Sequence, residues 1–223
     1  MTDRAPIRIL LVDDQQLIRM GFRMVLEAEP EFSVVGEAAN GAEAIDAVRE
    51  LLPDVVLMDV RMPRLDGIAA TTQIVQQYPA SRIIVLTTFD LDEYAFGALA
   101  AGASGFLLKD VQASELTAAI RAVHSGDATL SPRVTRRMLE LFGGRLPNPA
   151  GGDDSALATL TERERDVFAA IGRGLTNTEI AAALFVSEST VKTHVGRVLA
   201  KMGARDRVQA VILAHRLGVT GSA

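Results

Sequence analysis

Two adjacent carboxylates, Asp13 and Asp14, follow directly on the apolar run "IRILLV". Side by side they repel, and placing them at the end of a buried strand adds a desolvation cost. A bound cation removes both penalties. A third carboxylate, Asp59, ends the apolar part of "VVLMDVRMPRLDG"; Thr87 and Thr88 end that of "IIVLTTFD"; Lys109 ends that of "GFLLKD". Three carboxylates suit Mg²⁺, which takes oxygen ligands and keeps waters for a substrate phosphate. With the metal offsetting charge on an incoming phosphoryl group, Asp59 can attack phosphorus. Lys109 can then pair with one phosphate oxygen and Thr87 can donate its hydroxyl to another. Any one of these residues alone is more often a strand-end cap or a solvated charge. Their conjunction at four strand ends is what points to phosphoryl chemistry.

The elements that must position them are short β-rich runs alternating with helix-length segments. "IRILLV", "SVVGEA", "DVVLMD", "RIIVLTT" and "GFLLK" read as five strands of a parallel α/β sheet with helical crossovers. In such an open sheet, ligands bind beyond the carboxyl ends of the strands, where the strand order reverses. Every strand but the second brings a polar or charged group to that edge. A flavodoxin-like cofactor site or a P-loop fits less well, because either wants a Gly/Ser/Thr-rich loop where this chain has "VDDQQLIR".

Beyond the sheet, "SPRVTRRMLELF" predicts a further helix with Ser131 as N-cap and Pro132 in its first turn. "GGRLPNPAGGDDSA" has no periodicity and reads as a flexible linker. The expected division is residues 1–126, a helix and linker over 127–158, and an all-helical domain over 159–218. Charge follows the same division. Residues 1–142 hold 13 Lys+Arg against 20 Asp+Glu, whereas 156–218 hold 9 against 6, so an acidic front joins a basic tail able to meet a polyanion. The absence of cysteine excludes disulfides, thiolate metal sites and a cysteine nucleophile, and fits a reducing compartment. No apolar run approaches the roughly 20 residues of a membrane span, and the start "MTDRAPIRIL" lacks the core of a signal peptide, so a cytoplasmic location is expected.

In the tail, Thr161 with Glu164 and Thr176 with Glu179 fit capping boxes, and Ser187 is an N-cap before "ESTVKTHVGRVLAKM". A short helix, a tight turn at "FVS" and a longer helix outline a helix-turn-helix. Val191, Val195, Val198 and Met202 recur at core spacing on the second helix. The opposite face carries Ser189, Lys192, Thr193, Gly196 and Arg197, small and basic side chains that let a helix enter a DNA major groove, or equally form a solvated surface. Gly196 costs about 1 kcal/mol of helix propensity relative to Ala, which favours a close-approach role. His194 has no second ligand nearby in sequence and reads as a packing or phosphate-contacting residue rather than a metal ligand. The last helix, "RDRVQAVILAHRLG", is too apolar all round for the surface of a monomer.

Residues 7–126 resemble the receiver domain of two-component response regulators. The motifs stand in order: Asp13 and Asp14, Asp59 within "DVRMPRLDG", Thr87, Phe106 and Lys109. "LTERERDV", "TNTEIA", "VSESTVKTHV" and "KMGARDRVQAV" resemble the LuxR-type DNA-binding domain across residues 159–218. Together the chain is similar to the NarL/FixJ family. The resemblance implies a flavodoxin-like, doubly wound five-stranded sheet of order 2-1-3-4-5 with a smaller all-α domain. It implies that Asp59 accepts a phosphoryl group from a sensor histidine kinase, with Mg²⁺ held by Asp13, Asp14, Asp59 and the Arg61 backbone carbonyl. Thr87, Thr88 and Lys109 would then attend the phosphate, and Phe106 would serve as a switch as well as a core aromatic. Ser189, Lys192, Thr193, Gly196 and Arg197 would meet promoter DNA, and the last helix, through Val208, Val211, Ile212 and His215, would pair two copies of the chain. The implied protein is a transcriptional regulator rather than an enzyme.

Two departures from the family pattern carry expectations of their own. Asp110 follows Lys109 where many receivers have proline, so a cis peptide is not expected there. Arg61 and Phe89 stand at positions that in the family govern water's access to the acyl phosphate, and neither can orient water, which implies slow self-hydrolysis. Phosphorylation is expected to release a masked recognition or dimer helix and shift a pre-existing equilibrium towards an open dimer. Two rivals stay open: a constitutive DNA binder with a vestigial receiver, and a Mg²⁺-dependent phosphohydrolase using Asp59. The intact acidic set disfavours the first, and Arg61 in place of a second acid/base carboxylate disfavours the other.

Overall fold

A computed structural model describes residues 5–87, 94–125 and 157–219, the side chains of 94–96 excepted. The expected helix beginning at Ser131 and Pro132, the linker after it, and Thr88 and Phe89 lie outside the described residues. The chain divides into two compact units, with the division after Thr129.

The first unit runs β1 (Ile7–Val12), α1 (Gln16–Glu27), β2 (Phe32–Ala38), α2 (Gly41–Leu51), β3 (Val55–Asp59), α3 (Gly67–Gln77), β4 (Arg82–Thr87), α4 (Tyr94–Ala100), β5 (Gly105–Leu108) and α5 (Ala113–His124). The strands form one parallel sheet in the order β2-β1-β3-β4-β5, as expected. Burial on both faces explains why the inner strands are continuously apolar. Ile9, Leu11, Leu57, Ile84 and Leu86 share one core with Leu26 of α1 and Leu116, Ile120 and Val123 of α5. The alternate residues Leu10, Val56, Met58, Ile83 and Val85 are equally buried on the opposite face, where α2 and α3 pack.

Local chemistry starts α2 and α3 where the sheet needs them. Asn40 caps α2 by accepting from the N–H groups of Ala42 and Glu43, and Asp66 caps α3 by accepting from that of Ala69. Gly67, the first residue of α3, donates its N–H to the Val60 carbonyl at 2.9 Å. A Cβ at this position would stand 1.9 Å from the Asp59 carbonyl oxygen, so only glycine lets α3 begin against the end of β3. Among the described residues no peptide is cis, the Lys109–Asp110 bond included.

The second unit is helical: α6 (Glu162–Gly172), α7 (Asn177–Leu184), α8 (Glu188–Lys201) and α9 (Arg207–Arg216). Both expected capping boxes form, at Thr161 with Glu164 and at Thr176 with Glu179, and the Ser187 side chain accepts from the Thr190 N–H to start α8. Val191, Val195, Val198 and Met202 face the core with Val167, Phe168 and Ile171 of α6. Phe185, in the turn between α7 and α8, has a left-handed backbone (φ 55°).

Glu164 does more than cap α6. Its carboxylate, buried at 3% exposure, accepts from the Lys201 ammonium at 2.6 Å, while Lys201 also donates to the Thr159 carbonyl. The end of α8 is thereby fastened to the start of α6. The Lys201 hydrogen bond, helped by the Thr161 N–H, lowers the Glu164 pKa from the usual 4.5 to about 2. A carboxylate whose folded pKa is depressed stabilises the fold fully above its unfolded pKa and loses that contribution as pH falls through the folded value. The stability difference between wild type and Glu164→Gln, measured by denaturant unfolding, is therefore expected to be greatest at neutral pH and to shrink between pH 4.5 and about 2.

Candidate functional site

Four strand ends converge at the carboxyl edge of the sheet. Asp13 follows β1, Asp59 ends β3, Thr87 ends β4 and Lys109 follows β5. Asp13, Asp59 and Thr87 are each at most 5% exposed, whereas Asp14 faces solvent. Carboxylate oxygens of Asp13, Asp14 and Asp59 lie within 4.8 Å of one another. The sheet order explains the convergence, because β1, β3, β4 and β5 are successive neighbours and their ends form one row.

Lys109 holds the centre. Its ammonium lies 2.6 Å from Asp13 Oδ2 and 2.9 Å from Asp59 Oδ2, with all three side chains at most 6% exposed. Two buried carboxylates with one buried cation leave a residual negative charge. Burial pushes the Asp59 carboxyl above its ordinary range, and the Asp13 charge adds to this, against the hydrogen bonds from Lys109 and the Arg61 N–H. Burial alone would lower the Lys109 ammonium, but the hydrogen bonds to Asp13 and Asp59 outweigh it and hold the ammonium above its ordinary value. Asp13 is secured further: its Oδ1 accepts from the Gln15 N–H at 2.9 Å, and its own N–H donates to the Ala38 carbonyl at 3.1 Å. A site of this charge and donor type fits a hard cation, which oxygen donors bind and which compensates the excess charge.

The remaining sheet residues fall as follows. Arg61 is exposed, and its backbone reaches the Asp59 carboxylate through its N–H. Phe106 is 3% exposed and sits in the β5 register opposite Val85, which puts it in the core. Lys109 donates its N–H to the Thr87 carbonyl at 2.8 Å, linking the ends of β4 and β5.

On α8, Ser189, Lys192, Thr193, Gly196 and Arg197 are all exposed on the face opposite the core valines. Nothing lies within 4 Å of a Cβ added at Gly196, so packing within this unit does not demand glycine there. Lys192 stands 3.9 Å from Glu188 one turn earlier, and the Thr193 hydroxyl donates to the Ser189 carbonyl. His194 is half-buried, with its Nδ1 enclosed and without a hydrogen-bond partner among the described residues.

The expectation for α9 is corrected in part. Val208 and Val211 are at most 5% exposed and, with Ala210 and Ala214, face the helix's own domain, where α9 packs on α6. The run of apolar residues thus has an internal explanation, and these two valines are not free to meet a second copy. Ile212 stays half-buried, and so does His215, whose Nε2 pairs with the Gly172 carbonyl at 2.9 Å.

Residues missed by the sequence reading also bear on the sites. Arg19 donates to the main-chain carbonyl of Asp13 and is fastened to Glu37, two contacts no local pattern announces. Phe185 is 95% exposed. Its left-handed turn between a helix C-terminus and the Ser187 cap was visible only as a turn. On α1, Leu17, Met20 and Met24 are 79%, 50% and 74% exposed along one stripe beginning next to the acidic pair.

Removing Lys109 would leave two buried carboxylates unpaired. Lys109→Ala is expected to lower unfolding stability by about 3 kcal/mol without divalent cations. Added Mg²⁺ is expected to stabilise this variant more than wild type in a thermal-shift titration.

Comparison with known proteins gives a consistent result. The family described as the response regulator receiver domain matches residues 9–121, and that described as bacterial regulatory proteins, luxR family, matches residues 158–214. The uncharacterized transcriptional regulatory protein YxjL of Bacillus subtilis (strain 168) is 44% identical over 214 residues, which cover 96% of this chain and 97% of that protein. Transcriptional regulatory protein LiaR of the same strain is 41% identical over 94% and 97% of the two chains. Among solved structures, response regulator ChrA of a heme-sensing two-component system is similar over 97% of this chain and all of that one, at 32% identity and a TM-score of 0.53.

Proposed function

The chain belongs to the response regulators that join a receiver domain to a LuxR-type DNA-binding domain, and on that footing we propose that Asp59 is its phosphoacceptor and promoter DNA its target. The observation that carries the reading is the buried Asp13–Lys109–Asp59 arrangement with Asp14 beside it. Asp13, Asp14, Asp59 and the Arg61 carbonyl would hold Mg²⁺, whose chemistry is to offset negative charge on the phosphoryl group. An Asp59 carboxylate oxygen attacks phosphorus of a phosphohistidine on a sensor histidine kinase. The new P–O bond forms as the P–N bond breaks, and the donor imidazole leaves. Lys109 exchanges its Asp59 contact for a phosphate oxygen, Thr87 supplies its hydroxyl from the end of β4, and Thr88, outside the described residues, supplies another. The exposed Leu17, Met20 and Met24 stripe offers the kinase an apolar landing beside the acidic pair.

In this reading Phe106 follows Thr87 when the phosphoryl group arrives, self-hydrolysis is slow for want of a water-orienting side chain at Arg61, and the phosphorylated form pairs and binds DNA in the cytoplasm. The regulator performs no other catalysis. Residues 1–126 act as the receiver and 159–218 as the DNA-binding domain, joined by 127–158. Pairing through α9 would use its half-buried Ile212 and His215, since Val208 and Val211 are occupied in the core. Among the described residues no helix is long and apolar enough to cross a membrane.

Light scattering on the full chain tests the switch. Wild type with Mg²⁺ and a small phosphoryl donor is expected to dimerise, and Asp59→Asn to remain monomeric; a wild type unchanged by phosphorylation would overturn the switch. Lys192→Ala and Arg197→Ala are each expected to weaken operator binding and, where the lost contact is to a phosphate, to reduce the salt slope of log K by about 1. Unchanged affinity in both, measured by fluorescence anisotropy, would remove α8 as the reading helix.

A further inference from the structure

Asp14 is the odd member of the acidic set. Asp13 and Asp59 are buried and locked by Lys109, but the Asp14 carboxylate is exposed and makes no hydrogen bond or ion pair among the described residues. Among the described residues no polar contact to its side chain sets where its oxygens stand relative to the other two. The constraint must come through the backbone.

The backbone at that point is held by a cation. Arg19, one turn into α1, donates from Nη1 to the main-chain carbonyl of Asp13 at 2.6 Å and from Nε to Glu37 Oε2 at 2.9 Å. Its side chain is only 14% exposed, although a helix arginine at this edge could swing into water. Glu37 is itself gripped twice, since Arg23 donates to its other oxygen at 2.8 Å. The next residue on β2, Ala38, accepts the Asp13 N–H. Two successive residues of β2 therefore hold both sides of Asp13, one directly and one through Arg19.

The carbonyl that Arg19 holds belongs to the planar peptide joining Asp13 to Asp14. Fixing that plane places the Asp14 N and Cα. The peptide on the other side of Asp14 is held through the Gln15 N–H, which donates to Asp13 Oδ1 at 2.9 Å, and the two restraints together limit the direction of the Asp14 Cβ. Electrostatics alone would argue against a guanidinium here, because a cation next to a cation site opposes metal binding. Glu37 cancels that charge, so what remains of Arg19 at the site is its geometry.

We propose that Arg19, braced by Glu37, is a positioning residue for the metal site that acts through Asp14, an inference that rests on the reading of the acidic cluster as a Mg²⁺ site. Loss of Arg19 frees the peptide, and Asp14 must be ordered at the moment the metal binds. Lysine in its place keeps the charge but has one donor centre, which cannot serve the carbonyl and Glu37 in the same fixed fork.

The test is isothermal calorimetry of Mg²⁺ binding to the full chain, with thermal midpoints recorded for every variant. Arg19→Gln is expected to raise the Mg²⁺ Kd about ten-fold, Glu37→Gln to raise it several-fold, and Arg19→Lys to recover no more than part of the loss. In an Asp14→Asn background the Arg19→Gln effect is expected to fall below two-fold, because the residue it positions is no longer a full ligand. An Arg19→Gln Kd within two-fold of wild type, full rescue by lysine, or effects of Arg19→Gln and Asp14→Asn that simply add would each overturn the proposal. Should Arg19→Gln fail to fold, Glu37→Gln and Arg19→Lys carry the same cycle with Asp14→Asn. A wild type that binds no Mg²⁺ would instead bring down the metal reading itself, a different result from wild-type binding that the variants leave unchanged.

Discussion

Three charges share a space with almost no access to water, and the receiver unit is arranged around making that tolerable. Lys109 lies within hydrogen-bonding distance of both Asp13 and Asp59. Without it the carboxylates would repel at close range in a medium that screens poorly. With it the pair of acids is brought close to balance but left one charge in excess. That unbalanced arrangement is costly as a piece of architecture, since well-packed apolar residues would serve a fold as well or better. In the proposed reading it is a site held ready for a cation and a phosphoryl group.

The sheet does the holding. Four neighbouring strands end in one row, and the fixed spacing of parallel strands sets the distances between what they carry. The loops beyond the ends are pinned in turn: Gln15 to the Asp13 carboxylate, Gly67 to Val60 across the end of β3, and Lys109 to Thr87 across the gap from β4 to β5. Gly67 shows how little room is left, because one methyl group there would collide with the backbone of Asp59, the proposed phosphoacceptor.

Much of this was legible in the sequence because the relevant information is local. Strand ends are marked by an abrupt change from apolar to charged residues, and capping boxes at Thr161 and Thr176 need only residues three apart. The alternation of strands and helices predicts a parallel sheet, and the core face of α8 follows from spacing alone. What was not legible depends on pairs brought together by the fold. Glu37 is separated from Arg19 by 18 positions, and Lys201 from Glu164 by 37. The apolar run in α9 misled for the same reason, since sequence reports that Val208 and Val211 are apolar but not which surface satisfies them. Phe185 breaks the local rules twice, with a large aromatic ring left in water and a backbone angle that favours glycine.

The fastening of Lys201 to Glu164 bears on the thermodynamics of recognition. It closes the far end of α8 against α6, while Ser187 closes the near end, so the helix stands fully formed before any ligand arrives. Ordering a residue from the coil costs roughly 1–2 kcal/mol of conformational entropy, and here that cost belongs to folding. Association through α8, as proposed, would consequently carry the heat-capacity change of the surface it covers, without the larger negative term that accompanies a segment folding as it binds. In the proposed reading the helix would meet its target already formed, and selectivity would rest on the fit of its side chains rather than on the ability of a partner to induce its shape.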